Sequence, residues 1–394
     1  MNMTVLTDSG AGVMPEIYFD NAATTPLHSQ VAGAMTRALQ YFANPSSLHR
    51  LGLEAEKRNQ ASRRQVAEFL GVSPDAIFFT SGGTEANNLA IQGALQRPRG
   101  RLLASRVEHP SVREIFTHLE RQGWPVEWIN VDGRGEVDLS HLAKLLAEPV
   151  KMVSVMAVNN ETGSIQPLGE VCRLVRKRQP QAFIHVDAVQ AAGKIQFRPI
   201  DLDVDTAVVS AHKMLGPKGV GALYVANPGR IKPLFFGGGQ EGKLCPGTEN
   251  TWGITGFAAA AGLWENNNDA WNREMAKLRH QFATGLEKLG ACIVSPDTGS
   301  PYILAASFPG HKGEVLVNAL SNRGLYVSTG AACSGKKGNL SHVAQAMGME
   351  DDVIQGMLRF SFSPLNEKRE ADMALEILAE VLEELAYVRG RSGH

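Results

Sequence analysis

The sequence lacks an excess of charge of either sign. Its 394 residues contain 39 lysines and arginines against 40 aspartates and glutamates, a formal net charge of −1 at pH 7. Binding to nucleic acid or to an anionic membrane normally uses a basic surface, which this balance does not supply. We therefore expect no direct nucleic-acid binding, and a partner that is small or docks locally.

Long apolar runs and paired cysteines are also missing. No stretch of about 18 consecutive apolar residues occurs, and residues 1–16 lack the basic segment and apolar run of a secretory signal. The four cysteines (Cys172, Cys245, Cys292 and Cys333) are far apart and form no CxxC pair, which argues against a disulfide framework and a zinc site. The sequence predicts no membrane span, no bound metal and a reducing, cytoplasmic location.

The order of apolar segments predicts an α/β fold. Between about residues 17 and 227, short β-branched runs alternate with amphipathic stretches, as in βαβ units that build a mostly parallel sheet. A Gly- and Pro-rich stretch then precedes a long helical segment, and fewer strands follow. We predict a large domain over residues 16–262, with helices flanking the sheet, and a smaller α+β domain formed by residues 1–15 and 263–394.

Specific strands and helices follow from the same patterns. Strands are predicted at 76–80, 101–105, 126–130, 152–158, 183–188, 206–212, 221–226, 291–295, 303–308 and 357–362. Helices are predicted at 55–71, 168–179, 314–324 and 371–388. Ligands of such sheets bind at the carboxyl ends of the strands, so functional residues are expected there.

A small-residue turn links a strand to a helix at residues 81–84, Ser-Gly-Gly-Thr. Small side chains let the backbone approach an anion, and the free N–H groups of the helix favour negative charge, so the turn could hold a phosphate. Plain capping of the helix by Ser81 or Thr84 explains the same residues equally well.

Two oppositely charged side chains follow neighbouring strands. Asp187 ends one strand and Lys213 follows another, and such a pair can hold the pyridine nitrogen and the aldehyde of pyridoxal phosphate. A simple ion pair is the alternative, and Lys218 is a rival for Lys213. His109 also follows a strand and could stack on a flat cofactor, although a packed or surface histidine fits the same position.

Taken together, the motifs resemble those of class V, fold-type I pyridoxal phosphate enzymes, and most closely cysteine desulfurases of the NifS and IscS type. The similarity extends over nearly the whole chain. The matching stretches are YFDNAATTP, NPSSLHRLG, TSGGTEANN, EHPSV, NNETGSIQP, HVDAVQ, SAHKMLGPKGVGALYV, PGTEN, STGAACSG and LRFSFS.

The resemblance implies how pyridoxal phosphate is held. Lys213 would bind its aldehyde covalently, Asp187 would pair with the pyridine nitrogen, and Gln190 would contact the phenolic oxygen. His109 would stack on the ring. The implied phosphate ligands are Thr84, Ser210 and His212, with Gly83 in the same turn. Thr248 would reach the phosphate of a neighbouring subunit, which implies a homodimer.

The resemblance also implies a substrate and a sulfur acceptor. Asn159 and Arg359 would contact L-cysteine, Arg359 by a bidentate grip on the carboxylate. Cys333, in a glycine-rich loop beside two lysines, would attack the substrate sulfur as a thiolate. The products would be L-alanine and a persulfide on Cys333, which passes sulfur to an acceptor protein for iron–sulfur cluster assembly or thiolation. We expect structural roles for Cys172 and Cys292.

Two departures from the family pattern keep alternatives open. Cys245 stands in CPGT where relatives usually carry the arginine of RxGT, and GAACSG replaces the common GSACTS. The alternatives are another pyridoxal phosphate enzyme, such as a selenocysteine lyase, a cyst(e)ine lyase or an aminotransferase-like enzyme, and a degenerate homologue that only binds partners. Formation of alanine and protein-bound sulfur would distinguish the desulfurase.

Overall fold

A computed structural model describes residues 16–95, 98–330 and 340–392. Its strands are β1 (Ile17–Tyr18), β2 (Ile77–Thr80), β3 (Arg101–Ser105), β4 (Val126–Ile129), β5 (Val150–Ser154), β6 (Phe183–Asp187), β7 (Thr206–Ser210), β8 (Gly221–Val225), β9 (Cys292–Ile293), β10 (Ile303–Ser307), β11 (Leu325–Tyr326) and β12 (Met357–Ser361). Its helices are α1 (Ser29–Ala38), α2 (Arg50–Leu70), α3 (Gly83–Ala94), α4 (Pro110–Arg121), α5 (Leu139–Leu145), α6 (Leu168–Arg178), α7 (Thr251–Lys288), α8 (Gly313–Ser321), α9 (His342–Ala346), α10 (Asp351–Gln355) and α11 (Lys368–Ser392).

A seven-stranded sheet of order β2-β8-β7-β6-β5-β3-β4 forms the centre of the molecule. The strands β7, β6, β5, β3 and β4 run parallel, whereas β8 is antiparallel to both of its neighbours. The parallel strands therefore present their carboxyl ends at one edge of the sheet, where ligands bind in such folds. The predicted mostly parallel sheet is confirmed.

Both faces of this sheet are covered because its side chains alternate between two cores. Ile184 and Val209 belong to the core that contains residues of α2, α6 and α7. Phe183 and Val208 belong to the core that contains residues of α3 and α4. Each fully buried side chain of this kind stabilises the fold by about 1.5–3 kcal/mol. Because such side chains pack against helices on both faces, the strands and their ends are held in fixed positions.

The rest of the described chain packs on one end of the large sheet. An antiparallel sheet of order β12-β10-β9 and a short parallel pair, β1-β11, are its strands. The rings of Phe19, Phe282 and Phe362 meet edge to face with centroids 5.0–5.8 Å apart. This contact ties the beginning of the described chain to α7 and to the segment after β12.

The predicted strands and helices all occur, with shorter ends in several cases. One helix, α7, spans residues 251–288 and therefore continues through residue 262, the predicted end of the large domain. The proposed domain boundaries stay a prediction, and residues 1–15 lie outside the described ranges. Within those ranges, no helix is long and apolar enough to cross a membrane.

Candidate active site

A cavity of about 290 Å³ lies at the carboxyl ends of β6 and β7. The amino-terminal ends of α3 and α4 and the side chain of Arg359 on β12 complete its wall. The predicted site residues that line it are Gly83, Thr84, His109, Asp187, Gln190, Ser210, His212, Lys213 and Arg359. Residues distant in sequence are thus brought to one cavity.

One end of the cavity offers hydrogen-bond donors suited to an anion. The helix α3 begins after Gly82, which has no side chain to cap it, so the first N–H groups remain available. The Ser210 hydroxyl is buried and has no partner among the described residues. Burial, and then the neighbouring cations, lower the pKa of His212 to about 4, which keeps its ring neutral at pH 7.

Lys213 follows β7 in a short 3-10 turn, Ala211–Lys213. Its Nζ donates hydrogen bonds of 2.6 Å to the carbonyl oxygens of Ala22 and Ala23, which also line the cavity. The rival, Lys218, is exposed and does not contribute to the cavity wall. The geometry therefore favours Lys213 over Lys218 as the residue that meets a bound ligand.

Asp187 is held by neutral donors at the end of β6. Its two carboxylate oxygens accept hydrogen bonds from the Val189 backbone N–H (3.0 Å) and from Asn87 Nδ2 (2.9 Å). The Asn87 side chain also donates to the Ser111 hydroxyl (2.8 Å) and contacts His185 Nε2 (3.1 Å). Both of these donors are neutral, and Asp187 lines the cavity, so its carboxylate can meet a positively charged group of a bound ligand.

His109 caps the amino terminus of α4. Its Nδ1 accepts the Ser111 backbone N–H at 3.1 Å and lies 2.8 Å from the Ser111 hydroxyl. Since Nδ1 is an acceptor, a neutral ring carries its proton on Nε2. Burial lowers the pKa of His109, which favours this neutral form at pH 7.

Gln190 connects the cavity to a buried lysine that sequence analysis missed. Gln190 Nε2 donates to the Ala22 carbonyl at 2.9 Å, and Gln190 Oε1 accepts from Lys194 Nζ at 3.0 Å. Lys194 is only 3% exposed. Burial, followed by the charges of Lys213 and Arg359, lowers the pKa of Lys194 to about 7.

Arg359 is buried and partly engaged. Its Nη1 donates to the Asn160 carbonyl at 2.8 Å, and its Nη2 pairs with Asp20 Oδ1 at 2.7 Å. Its Nε has no partner among the described residues. A buried guanidinium with an unused N–H beside a cavity can bind a carboxylate.

Asn159 lies beside the cavity but does not line it, whereas Asn160 does. The Asn159 side chain accepts the backbone N–H groups of Glu161 and Thr162 and donates to the Val107 carbonyl. These bonds give Asn159 a role in shaping the loop after β5. Its predicted contact with substrate stays a prediction.

Cys333 lies outside the described residues, but the residues on either side of its segment border the cavity. Gly330 and His342 both line the wall. His342 Nε2 is 3.0 Å from the Glu108 carbonyl, and the Ser341 hydroxyl donates to Glu161 Oε2 at 2.5 Å. The last described residue before this segment and the residues just after it are therefore both held at the cavity.

The remaining predicted residues lie elsewhere. Thr248 is exposed and outside the cavity of its own chain. Cys172 is buried in α6, as expected of a structural residue. Cys292 is exposed at the edge strand β9, so the prediction of a structural role for it was wrong. Its apolar sequence neighbours Ala291 and Val294 are buried, whereas the Cys292 side chain projects from the strand into solvent.

Three residues of the site lie in the family motifs, but the sequence did not predict a role for them. They are Asn87 in TSGGTEANN, Ser111 in EHPSV and His185 in HVDAVQ. They form a continuous set of contacts, with His185 Nδ1 2.9 Å from the Thr206 hydroxyl. Burial lowers the pKa of His185 to about 4. Their position inside the motifs was the only signal in the sequence that could have indicated them.

The donor set fits pyridoxal phosphate. The unpartnered Ser210 hydroxyl and the uncapped start of α3 suit its phosphate, and the carboxylate of Asp187 suits its ring nitrogen. Lys213 lies in the same wall, where an aldehyde could meet its amine.

Comparison with known proteins gives the same family. Residues 17–373 match the family "Aminotransferase class-V". A cysteine desulfurase of Trichormus azollae is 37% identical over 378 residues, covering 94% of each chain. Among solved structures, a NifS-like protein has 39% identity and a TM-score of 0.89, covering 94% of this chain and all of its own.

A further solved structure, of SspA in complex with cysteine, has 28% identity and a TM-score of 0.78 and covers 89% of this chain and all of its own. The family match, over residues 17–373, includes every strand of the described chain and every residue that lines the cavity. The chain therefore belongs to the aminotransferase class-V family of pyridoxal-phosphate-dependent enzymes, and within it to the cysteine desulfurases.

Proposed function

We propose that this protein removes sulfur from L-cysteine, forms L-alanine and holds the sulfur as a persulfide on Cys333. The observation that carries the proposal is one cavity wall that contains Lys213, Asp187 and Arg359 together with Gly330, which precedes Cys333 by three positions in the sequence. A relative solved with bound cysteine supports this amino acid as the substrate.

The cofactor would be held by residues of three neighbouring strand ends. Lys213 Nζ would bind it covalently, Asp187 would pair with its ring nitrogen, and His109 would stack on the ring. Gln190 would contact the phenolic oxygen. The implied phosphate ligands are Gly83, Thr84, Ser210 and His212. When bound, pyridoxal phosphate supplies an aldehyde that takes up the substrate amine and a ring that withdraws electrons from the α-carbon.

The protein would orient the substrate and move its protons. Arg359 would bind the carboxylate through N–H groups that Asp20 and Asn160 leave unused. Lys213 Nζ would take the proton from the α-carbon once the substrate amine has replaced it. The Nε2–H of His109 is the proton available to the carbon that loses the sulfur, because Nδ1 is committed to Ser111.

Cys333 is within reach of this cavity whatever path its segment follows. Two residues lie between it and Gly330, so three Cα–Cα steps of roughly 3.8 Å keep the two Cα atoms within about 11 Å of each other. Cys245 is a poor rival for the acceptor. Its burial, followed by the charges of Glu85 and Glu241, raises the pKa of the thiol to about 12, and the thiolate is the nucleophile.

A homodimer is part of the proposal, because one face of the chain exposes large apolar side chains. Leu48 and Phe236 are each 91% exposed. Their loops are joined by a 3.3 Å hydrogen bond from Gln240 to Ser46, and Gln240 also accepts the Gly247 backbone N–H. Thr248 follows Gly247 in the chain. In a dimer in which a second copy covers this face, Thr248 of one chain would lie near the cavity of the other.

The sulfur would leave the protein by exchange with a thiol of an acceptor protein, for iron–sulfur cluster assembly or thiolation, in the cytoplasm. Cys172, Cys245 and Cys292 form no disulfide within the described residues, a cysteine pattern that fits a reducing compartment.

The experiment that tests this function is a product analysis. Purified protein is incubated with L-cysteine and a reducing thiol, and alanine, sulfide and pyruvate are measured. We expect alanine and sulfide in equal amounts, with Lys213→Ala inactive as the control. Pyruvate as the main product would identify a lyase, and no product from a protein without bound cofactor would identify a non-catalytic homologue.

A further inference from the structure

Lys194 is a buried lysine whose only side-chain hydrogen bond in the described ranges goes to a predicted cofactor ligand. Its Nζ donates to Gln190 Oε1 at 3.0 Å and lies 5.9 Å from the centre of the Tyr302 ring. It forms no ion pair with a carboxylate in that part of the chain, although it is only 3% exposed. A buried ammonium normally requires a strong compensating interaction, so its retention here demands an explanation.

The local backbone explains why these two side chains meet. The turn after β6 is helical in character, with the Ile195 and Lys194 backbone N–H groups bonded to the Ala191 carbonyl. Residues four apart in such a turn lie on one face, which places Lys194 beside Gln190. The turn is packed against Trp264, whose ring a Cβ at Gly193 would strike at 2.6 Å, so the turn cannot shift easily.

The ammonium fixes the orientation of the Gln190 amide. A protonated lysine can only donate hydrogen bonds, so in this form of Lys194 the amide oxygen faces the ammonium and Nε2 faces the Ala22 carbonyl and the cavity. The same Ala22 carbonyl accepts from Lys213 Nζ at 2.6 Å. Lys194, Gln190 and Lys213 are therefore linked through three hydrogen bonds, two of which end on the same Ala22 carbonyl.

We propose that Lys194 is a positioning residue for the cofactor: it holds the Gln190 amide with its N–H groups toward the phenolic oxygen and polarises that amide as a donor. The inference rests on the proposed function, since it assigns Gln190 to that oxygen. A nearby positive charge withdraws electrons from the amide and strengthens its N–H as a donor. The charges that face Lys194 are those of Lys213 and Arg359, and its pKa is lowered first by burial and then by these two charges.

The test is a double-mutant cycle read from the visible absorbance of the cofactor-loaded enzyme. The variants are Lys194→Met, Gln190→Ala and the two combined, and the midpoint of the absorbance change with pH is measured for each. Methionine keeps the length of the side chain and removes its charge and donors. We expect Lys194→Met to move the midpoint upward by about half a pH unit, the size that one hydrogen bond supports, because a weaker donor leaves more charge on the phenolic oxygen.

In the Gln190→Ala background, Lys194→Met should move the midpoint by less than a third of that shift. Lys218→Met is the matched control, because Lys218 is an exposed lysine outside the cavity wall and does not touch Gln190. It should leave the midpoint in place. An equal shift with and without Gln190, a shift of the same size in Lys218→Met, or no shift in Lys194→Met would overturn the inference. A wild-type protein that binds no cofactor would instead refute the proposed function.

Discussion

Replacing Arg359 by alanine should weaken the binding of L-cysteine far more than it weakens cofactor binding. A guanidinium has five N–H groups. Two of them are used by Asn160 and Asp20, and five minus two leaves three for a substrate carboxylate. A two-bond grip on a carboxylate contributes on the order of 2–4 kcal/mol. The apparent KM for L-cysteine should therefore rise roughly 30- to 1000-fold at about 1.4 kcal/mol per factor of ten.

The assay compares ligands with and without the carboxylate. Alanine formation gives kcat and KM for L-cysteine, and inhibition by cysteamine, which has the amine and thiol only, gives a second constant. Arg359→Ala should leave the cysteamine constant within about threefold of the wild type, because no hydrogen bond to a carboxylate is lost. Asp20→Asn is the matched control, since it removes the ion pair but keeps the guanidinium. An unchanged KM for L-cysteine in Arg359→Ala, or an equal loss for both ligands, would refute the assignment.

Three further outcomes are expected. Lys213→Ala should lose the covalently bound yellow cofactor and Lys218→Ala should keep it, as seen by absorbance after borohydride reduction and dialysis; the reverse result would exchange their roles. His185 has a folded-state pKa of about 4 against 6.5 unfolded, so its contribution to stability is complete above pH 6.5 and is lost as the pH falls toward 4. In denaturant unfolding, the stability lost between pH 7 and pH 5 should be about 2 kcal/mol smaller in His185→Gln, and an identical loss would show that His185 does not titrate in this way. Cys292→Ser should change the free energy of unfolding by no more than about 0.5 kcal/mol, because Cys292 is exposed. Cys172→Ser should lower it by about 1–3 kcal/mol, because the new hydroxyl is buried. Calorimetry measures both, and a larger loss in Cys292→Ser than in Cys172→Ser would contradict this assignment.

The strand ends that carry function could be predicted because each obeys a local rule. Asp187 and Lys213 follow apolar strands, and the carboxyl ends of parallel strands meet at one edge of the sheet. Their convergence on one cavity follows from that geometry. The same rule indicated the turn at residues 81–84, which does begin a helix.

The residues that support this site could not be predicted, because their roles depend on contacts between distant segments. Asn87 reaches Asp187 across 100 residues, and Arg359 reaches Asp20 across 339. Lysines are almost always exposed, so the sequence gives no sign that Lys194 is buried. Its burial results from the packing of its turn against the rest of the structure. Cys292 shows the converse, since apolar neighbours in the sequence do not decide whether a strand side chain is buried or exposed.

The most direct test of the account is the location of sulfur after turnover. Protein is incubated briefly with sulfur-labelled L-cysteine, alkylated and digested, and the cysteine peptides are analysed by mass spectrometry, in the wild type and in Cys333→Ser. The account predicts labelled sulfur on Cys333, and a Cys333→Ser enzyme that keeps its yellow cofactor but releases almost no alanine, because a serine hydroxyl is not an effective sulfur acceptor at neutral pH. Label on Cys245, or undiminished alanine formation by Cys333→Ser, would contradict it.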